Sequence, residues 1–290
     1  MITGTLIYAL INSVILILMA LGFNLTFGIS GVSNFAYGAL YVLSAFVTWI
    51  LLKTAGLPYA LAAGLSILIT TLIGGLMYRF ILMRVRGQAL SEVISTFGIG
   101  LAILELFRYL GFVGFEYSLP VFIDRSFHIA GAQVDAQRIL LVLVSLFLIL
   151  CLWLFVHYTS IGLAFRGIAQ DERTAMTFGI DSDRMAMWSV AMGAGLAAIA
   201  ATVIMPLGTI SVEEGYEVLL NALAVCIIGG LGSSGGVILA GLVVGFAQRF
   251  TDTYIGPHWT MIVSLVAILL VLVIKPSGFF GKQKELEERI

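Results

Sequence analysis

The feature that most constrains this 290-residue chain is a set of long apolar runs that carry no charge. Ile139 to Val156 is one, and Trp259 to Ile274 is another. A helix needs roughly 20 such residues to cross the hydrocarbon core of a bilayer. Backbone groups in lipid must be hydrogen-bonded inside the segment or inside a closed barrel. A barrel would show short alternating segments, and these runs do not alternate. Hydrophobic residues make up 60% of the chain and charged residues 11%, against about 25% charged in a soluble domain. The expected fold is therefore all-α: one polytopic transmembrane helical bundle over residues 1–290, with about 8 spans.

The spans are expected at Leu6–Thr26, Ala36–Leu52, Pro58–Met83, Leu90–Val113, Ile139–Tyr158, Met187–Leu207 and Trp259–Ile274. Met1 to Ala9 lacks Lys and Arg, so the first run reads as a retained span rather than a cleaved signal. Between the last two spans lies an apolar stretch, Val218 to Phe250, split by Gly229-Gly230-Leu231-Gly232-Ser233-Ser234-Gly235-Gly236. Its halves are about 11 and 14 residues, or roughly 17 to 21 Å of helix. The stretch is thus expected as two short tilted spans or as a broken, re-entrant pair.

Basic residues set the expected orientation. Arg79, Arg84 and Arg86 form one cluster; Arg166, Arg173 and Arg184 a second; Lys275, Lys282, Lys284 and Arg289 a third. The span count puts all three on one side, which is then cytoplasmic, with the tail 275–290. The N-terminus and the loop 114–137 fall outside. That loop mixes Glu116, Asp124, Arg125 and Asp135, and Phe127 to Val134 has the pattern of a small hairpin around Gly131. It is either a docking surface or a solvated cap over the helices. With a net charge of -1 nothing points to nucleic acid. Cys151 and Cys226 sit in apolar runs as small hydrophobes. His128, His157 and His258 are scattered without metal-ligand spacing, so no metal, cofactor or catalytic centre is expected.

The cytoplasmic loop 159–186 is the most informative segment. It reads as a short amphipathic helix, with Phe165, Ile168, Ala169, Glu172, Ala175 and Met176 on one face and Arg166, Gln170, Arg173 and Thr177 on the other. Gly179 can end it in the left-handed conformation, and Asp181 or Ser182 can cap the next helix. The small residues Ala169, Ala175 and Gly179 would let another protein approach the backbone. The plainer alternative is an ordinary helical loop between spans.

This segment resembles the cytoplasmic coupling loop of ABC importer permeases, in which Glu-Ala-Ala is followed by three residues and Gly. Here the matching run is Arg173-Thr174-Ala175, Met176-Thr177-Phe178, Gly179; Ala175 and Gly179 fit, while Arg173 and Thr174 depart. Among such importers the permeases of branched-chain amino acid systems are similar along nearly the whole chain. The Gly162 to Asp181 segment carries the likeness, together with Gly22-Phe23-Asn24-Leu25-Thr26-Phe27-Gly28 leading into Gly31 to Gly38, and the Gly229 to Gly232 run followed by Gly235-Gly236. The resemblance implies a bacterial inner-membrane protein that works with a second permease subunit, two cytoplasmic ATPase subunits and an external solute-binding protein. It implies that Arg166, Asp171, Glu172, Arg173, Ala175, Gly179 and Asp181 belong to the ATPase-coupling surface. The chain itself has no Gly-x-x-x-x-Gly-Lys-Ser/Thr loop: Gly281-Lys282 is followed by Gln283. ATP would have to be bound by another subunit.

Polar groups within spans are costly and default to functional hypotheses. Asn24, Ser30, Asn34, Glu92, Ser95, Thr96 and Asn221 are therefore the candidates for a substrate path. The Gly-interrupted segments Gly28–Gly38 and Gly229–Gly236 lie in opposite halves, a pattern that points to a central site in transporters. The alternative for the asparagines is capping or interhelical hydrogen bonding; Tyr37 and Tyr41 read as packing residues. The resemblance implies branched-chain (hydrophobic) amino acids as the substrate, with amides and urea as the alternative. A self-sufficient secondary transporter or channel, coupled through Glu92 or Glu105, is the rival class.

Overall fold

In the computed structural model, described for residues 2–112, 117–121, 125–129 and 132–281, the long apolar runs are helices. In chain order they are α1 (Ile2–Ser30), α2 (Tyr37–Lys53), α3 (Tyr59–Val85) and α4 (Ala89–Tyr109). A two-stranded antiparallel hairpin follows, β1 (Ser126–Ile129) with β2 (Ala132–Asp135). Then come α5 (Ala136–Tyr158), α6 (Ser160–Gln170), α7 (Glu172–Thr177), α8 (Ser182–Ile204), α9 (Glu214–Gly229), α10 (Ser234–Tyr254) and α11 (Thr260–Ile274). The protein is an all-α polytopic bundle. Seven helices among the described residues are long and apolar enough to cross a membrane, and α2 is a shorter apolar helix. The hairpin is where the alternation of Phe127 to Val134 placed it; Gly131, Glu116, Asp124, Lys282, Lys284 and Arg289 lie outside the described residues.

The expectation for the Gly-rich stretch needs correcting. Its halves are not 11 and 14 residues but 16 and 21. The first helix begins at Glu214 rather than Val218, and the second takes in Ser234 to Gly236 before its apolar stretch and Thr251 to Tyr254 after it, because polar and small residues at helix ends extend a span beyond its apolar stretch. The second half alone therefore meets the length needed to cross. α9 and α10 form a tight antiparallel hairpin: a Cβ on Gly229 would stand 2.5 Å from the Gly236 carbonyl carbon. Gly230 turns the chain at φ 96°, and Ser233 Oγ caps α10 by accepting from Gly236 N at 3.1 Å. The last carbonyls of α9 are taken by the segment after α11: Phe279 N donates to Ile228 O at 2.8 Å and Phe280 N to Gly229 O at 3.0 Å.

Helices α1 and α8 form the buried centre, while α5 and α11 are almost entirely peripheral. α1 packs on α8, α9 and α10. Lipid gives helices no hydrophobic reason to associate, so close packing of small residues supplies the attraction. A Cβ on Gly22 would lie 2.7 Å from Gly193 O, so α1 and α8 touch backbone to backbone there. On its other side α1 meets Gly241 and Gly245 of α10.

The basic residues mark one end of the bundle. Arg86, after α3, contacts Ser182 at the start of α8. Thr26 of α1 donates to Ser189 O of α8 at 3.3 Å, and Asn24 of α1 accepts from Gly232 N in the Gly-rich turn at 2.9 Å. Lys275 and the segment after it cover that same turn. At the opposite end the hairpin joins α1 through Tyr8 Oη, which donates to Gln133 O at 2.5 Å. The Arg138 and Arg249 guanidinium groups stack over the Tyr8 ring at 5.1 and 5.0 Å. Three arginines at this end have acidic partners: Arg108 with Glu105 and Glu213, Arg138 with Asp135, Arg249 with Asp252.

Candidate coupling surface and transport path

The segment after α5 is two helices, not one. Thr159 Oγ1 caps α6 by accepting from Gly162 N at 3.0 Å. The helix then stops at Asp171, whose backbone is extended (φ -154°, ψ 106°). Asp171 Oδ1 accepts from Arg173 N and Thr174 N at 3.0 and 3.2 Å, and Thr174 Oγ1 donates to Oδ2 at 2.5 Å. An aspartate that satisfies the free N–H groups of a new helix ends the old one. The hydrogen bonds from Thr174, and then from Arg173, hold the Asp171 carboxyl below the usual carboxylate range.

That break changes which residues face inward. Phe165, Ile168 and Ala175 are buried as the 3/4 spacing predicted. Ala169, Glu172 and Met176, placed on the same face by that spacing, are exposed: Glu172 and Met176 follow the break at Asp171, and Ala169 is exposed near the end of α6 before it. The outer surface is formed by Arg166, Gln170, Arg173, Met176 and Phe178, the last 81% exposed. Gly179 has φ 83° and closes α7: Gly179 N donates to Met176 O at 3.0 Å and Ile180 N to Ala175 O at 3.3 Å. Asp181 Oδ1 then accepts from Arg184 N at 3.1 Å to cap α8.

Arg86, expected only to mark the orientation of the chain, holds this surface. Arg86 donates to Glu172 Oε1 at 2.7 Å, to Ser182 Oγ at 2.6 Å and to Asp183. Ser182 in turn donates to Glu172, and Tyr78 Oη donates to Asp183 Oδ1 at 3.4 Å. Burial works against the Arg86 charge, but its bond to Asp183 and the negative charge around it outweigh that, so the guanidinium is held above its ordinary value. Tyr78 begins a single π-helical turn, Tyr78–Leu82, inside α3. Such turns recur at functional sites; this one precedes Arg86 at the end of the helix. The pairing was not visible because its partners lie 86 to 97 positions away.

The candidates for a transport path fall into two groups. Asn24, Ser30, Asn34, Glu92 and Thr96 bond to backbone. Asn24 holds Gly232, and Ser30 Oγ donates to Thr26 O at 2.7 Å. Asn34 Oδ1 accepts from Ala36 N at 3.1 Å. Glu92 Oε1 accepts from Gly87 N at 2.7 Å, and Thr96 Oγ1 accepts from Phe35 N at 3.1 Å. These bonds lay the chain between α1 and α2 along α4. Ser95 is half-buried on α4. The two Gly-interrupted segments do meet, but closely: a Cβ on Gly28 would stand 2.9 Å from Gly232 Cα. Tyr37 and Tyr41 are buried in the core. Asn221 is different. It lines a cavity between α9, α10 and α11, where its Oδ1 accepts from Gln248 Nε2 at 3.1 Å and Ser264 Oγ at 3.4 Å. Gln248 and Ser264 were missed, although an amide and a hydroxyl inside apolar helices were signals of the same kind.

Residues 5–272 match the family described as branched-chain amino acid transport system, permease component. The chain is 29% identical to the high-affinity branched-chain amino acid transport system permease protein BraD of Pseudomonas aeruginosa, with 91% of each chain covered. It is 26% identical to the protein named LivH in the same type of system of Escherichia coli (strain K12), again with 91% of each covered. It is 23% identical to LivM of Salmonella typhimurium, over 92% of this chain and 68% of that one. A chain in the structure titled PsaBC from Streptococcus pneumoniae in complex with Fab has a similar fold, with a TM-score of 0.52 at 13% identity, covering 97% of this chain and 95% of that one.

Proposed function

The chain belongs to the branched-chain amino acid transport system permease family, and from that premise we propose that it is one of two related membrane subunits of an ATP-driven importer of hydrophobic amino acids. The likeness to both LivH and LivM supports a second permease partner. Two ATPase subunits sit at the basic end, which the positive-inside rule makes cytoplasmic, and a solute-binding protein docks at the hairpin end. The membrane is the bacterial inner membrane.

The observation that carries this reading is the α6–α7 pair. It presents Met176 and Phe178 outward, and is joined to α3 through Arg86 and to α8 through Gly179 and Asp181. A protein gripping that surface acts on both helices at once. ATP binding closes the ATPase dimer, displaces the pair and shifts the bundle between two access states, a ligand-biased two-state change.

Reconstitution tests it. The complete complex with its binding protein takes up leucine in an ATP-dependent way, and this chain alone in liposomes takes up nothing. Uptake by the chain alone, driven by an ion gradient, would establish the secondary-transporter class instead. Calorimetry of the binding protein against leucine, isoleucine, valine and urea decides between amino acid and amide import.

A further inference from the structure

Towards the hairpin end, α9, α10 and α11 part to leave a half-open cavity of about 320 Å³, at the small end of the range for ligand pockets. Although it opens between apolar helices, its wall carries Glu217, Asn221, Gln248, His258 and Ser264. Gln248 is 7% exposed and fixed on both sides of its amide. Its Oε1 accepts from Asn12 Nδ2 at 3.2 Å, and its Nε2 donates to Asn221 Oδ1 and to Ser264 Oγ at 2.6 Å. Asn12 is anchored in turn on Gly245 O at 3.2 Å. This chain of bonds engages the oxygen of Asn221, and its NH₂ group, a donor in a residue that lines the cavity, has no partner among the described residues.

Glu217 stands four residues before Asn221 on α9, so the two share a helix face with their Cβ atoms about 6 Å apart. Its carboxylate forms no ion pair among the described residues. The rest of the wall includes Leu220, Met261 and Leu265. A carboxylate, an amide donor one turn away and an apolar wall are together the complement of an aliphatic α-amino acid. Urea would leave the Glu217 charge unanswered, and a simple carboxylate would be repelled by it.

We propose that this cavity is a substrate station within the permease itself. The ammonium group of the amino acid pairs with Glu217, its carboxylate accepts from Asn221 and from the His258 ring, and its side chain lies against Leu220, Met261 and Leu265. The proposal rests on the reading of the chain as an amino acid importer subunit.

The test is equilibrium binding of tritiated leucine to the purified whole complex in lipid nanodiscs, without ATP and without the binding protein. The native complex is expected to bind leucine in the millimolar range or tighter. Glu217→Gln keeps the side-chain shape and removes the charge; it is expected to raise the Kd about tenfold or more, equivalent to about 1.4 kcal/mol. Leu265→Trp, which fills the cavity from its apolar wall, is expected to do the same. Isoleucine and valine should compete better than leucinol, which lacks the carboxylate, or 4-methylpentanoate, which lacks the ammonium. Native-like leucine binding in both variants overturns the station, as does no binding by the native complex. In either case continued leucine import by the complete system leaves the transport reading standing. If the complete native system imports no hydrophobic amino acid, the transport reading falls and the station falls with it.

Discussion

Arg86 donates to Glu172 at 2.7 Å, and that bond fastens the end of α3 to the first turn of α7. The Arg86 side chain is 17% exposed, so its removal leaves Glu172 and Asp183 facing each other without a counter-charge. Arg86→Ala is expected to lower substrate-stimulated ATP hydrolysis by the complex roughly tenfold, with assembly retained on size exclusion. A hydrogen bond to a charged group is worth about 1.5–3 kcal/mol. Arg86→Lys should recover only part of the stimulation, because one ammonium cannot reproduce the planar fork that meets Glu172, Ser182 and Asp183 together. Stimulation unchanged in Arg86→Ala would remove this residue from the coupling argument.

Gly179 offers a cleaner probe of the same surface. A Cβ there would meet nothing within 4 Å, so the constraint is its φ of 83° alone. Gly179→Val is expected to disrupt the end of α7 at a cost of about 1–2 kcal/mol and to depress substrate-stimulated ATP hydrolysis sharply, with membrane insertion intact. Gly179→Asn, which tolerates the left-handed region better, should retain most of it. Equal effects of the two substitutions would mean that backbone conformation is not the cause.

Asp171 sets the break between α6 and α7. Asp171→Ala should remove the cap of α7, seen as roughly fivefold faster amide exchange in residues 173–177. Its carboxyl is held below the usual range by Thr174 and Arg173. The cap therefore contributes fully above the unfolded carboxylate pKa and is lost only as pH falls through the lower folded value. The exchange rate of this segment, corrected for intrinsic chemistry, should not change between pH 6 and pH 8.

Glycines in the membrane separate into two kinds, and the difference can be measured. A side chain at Gly193 would run into Thr26 and the Gly22 carbonyl. Gly193→Val should therefore push α1 away from α8 and strongly reduce the yield of monodisperse protein in detergent, overpacking of this kind costing about 1–3 kcal/mol or more. Gly98, on α4, has open space around it. Gly98→Ala should be neutral or stabilising by up to about 1 kcal/mol. A stable Gly193→Val protein would contradict the backbone contact.

Much of this architecture is written locally. The charge-free runs set the helices, Gly179 and Asp181 announced the end of α7 and the start of α8, and the alternation of Phe127 to Val134 marked the hairpin. What was not legible depends on distance along the chain or on competition within it. Phe165, Ile168, Glu172 and Ala175 keep helical phase across Asp171, so periodicity hides the break; the Asp171-x-x-Thr174 spacing was the available sign of a cap. Asn24, Asn34 and Thr96 looked like a path because polar groups in spans are rare. Their oxygens also meet backbone N–H groups that helix ends and the stretch before α2 leave open, a pairing that sequence alone does not reveal. Asn221 was indistinguishable from them in sequence, because only Gln248 and Ser264, brought in by later helices, set it in a cavity.

The placement of α1 also determines how the protein must be made. Among the described helices it is synthesised before the others, and it is among the most enclosed. Yet Thr26 finds its partner at Ser189, Asn24 at Gly232, and Asn12 at Gly245 and Gln248. Those residues leave the ribosome more than 160 positions later. Until then α1 resides in the translocon or in lipid with its amides and hydroxyl lacking those partners, and it cannot take its final place. Assembly thus ends around the earlier helix: α8, α9 and α10 arrive to enclose α1, and a chain cut short before α10 would leave Asn12 without Gly245 and Gln248.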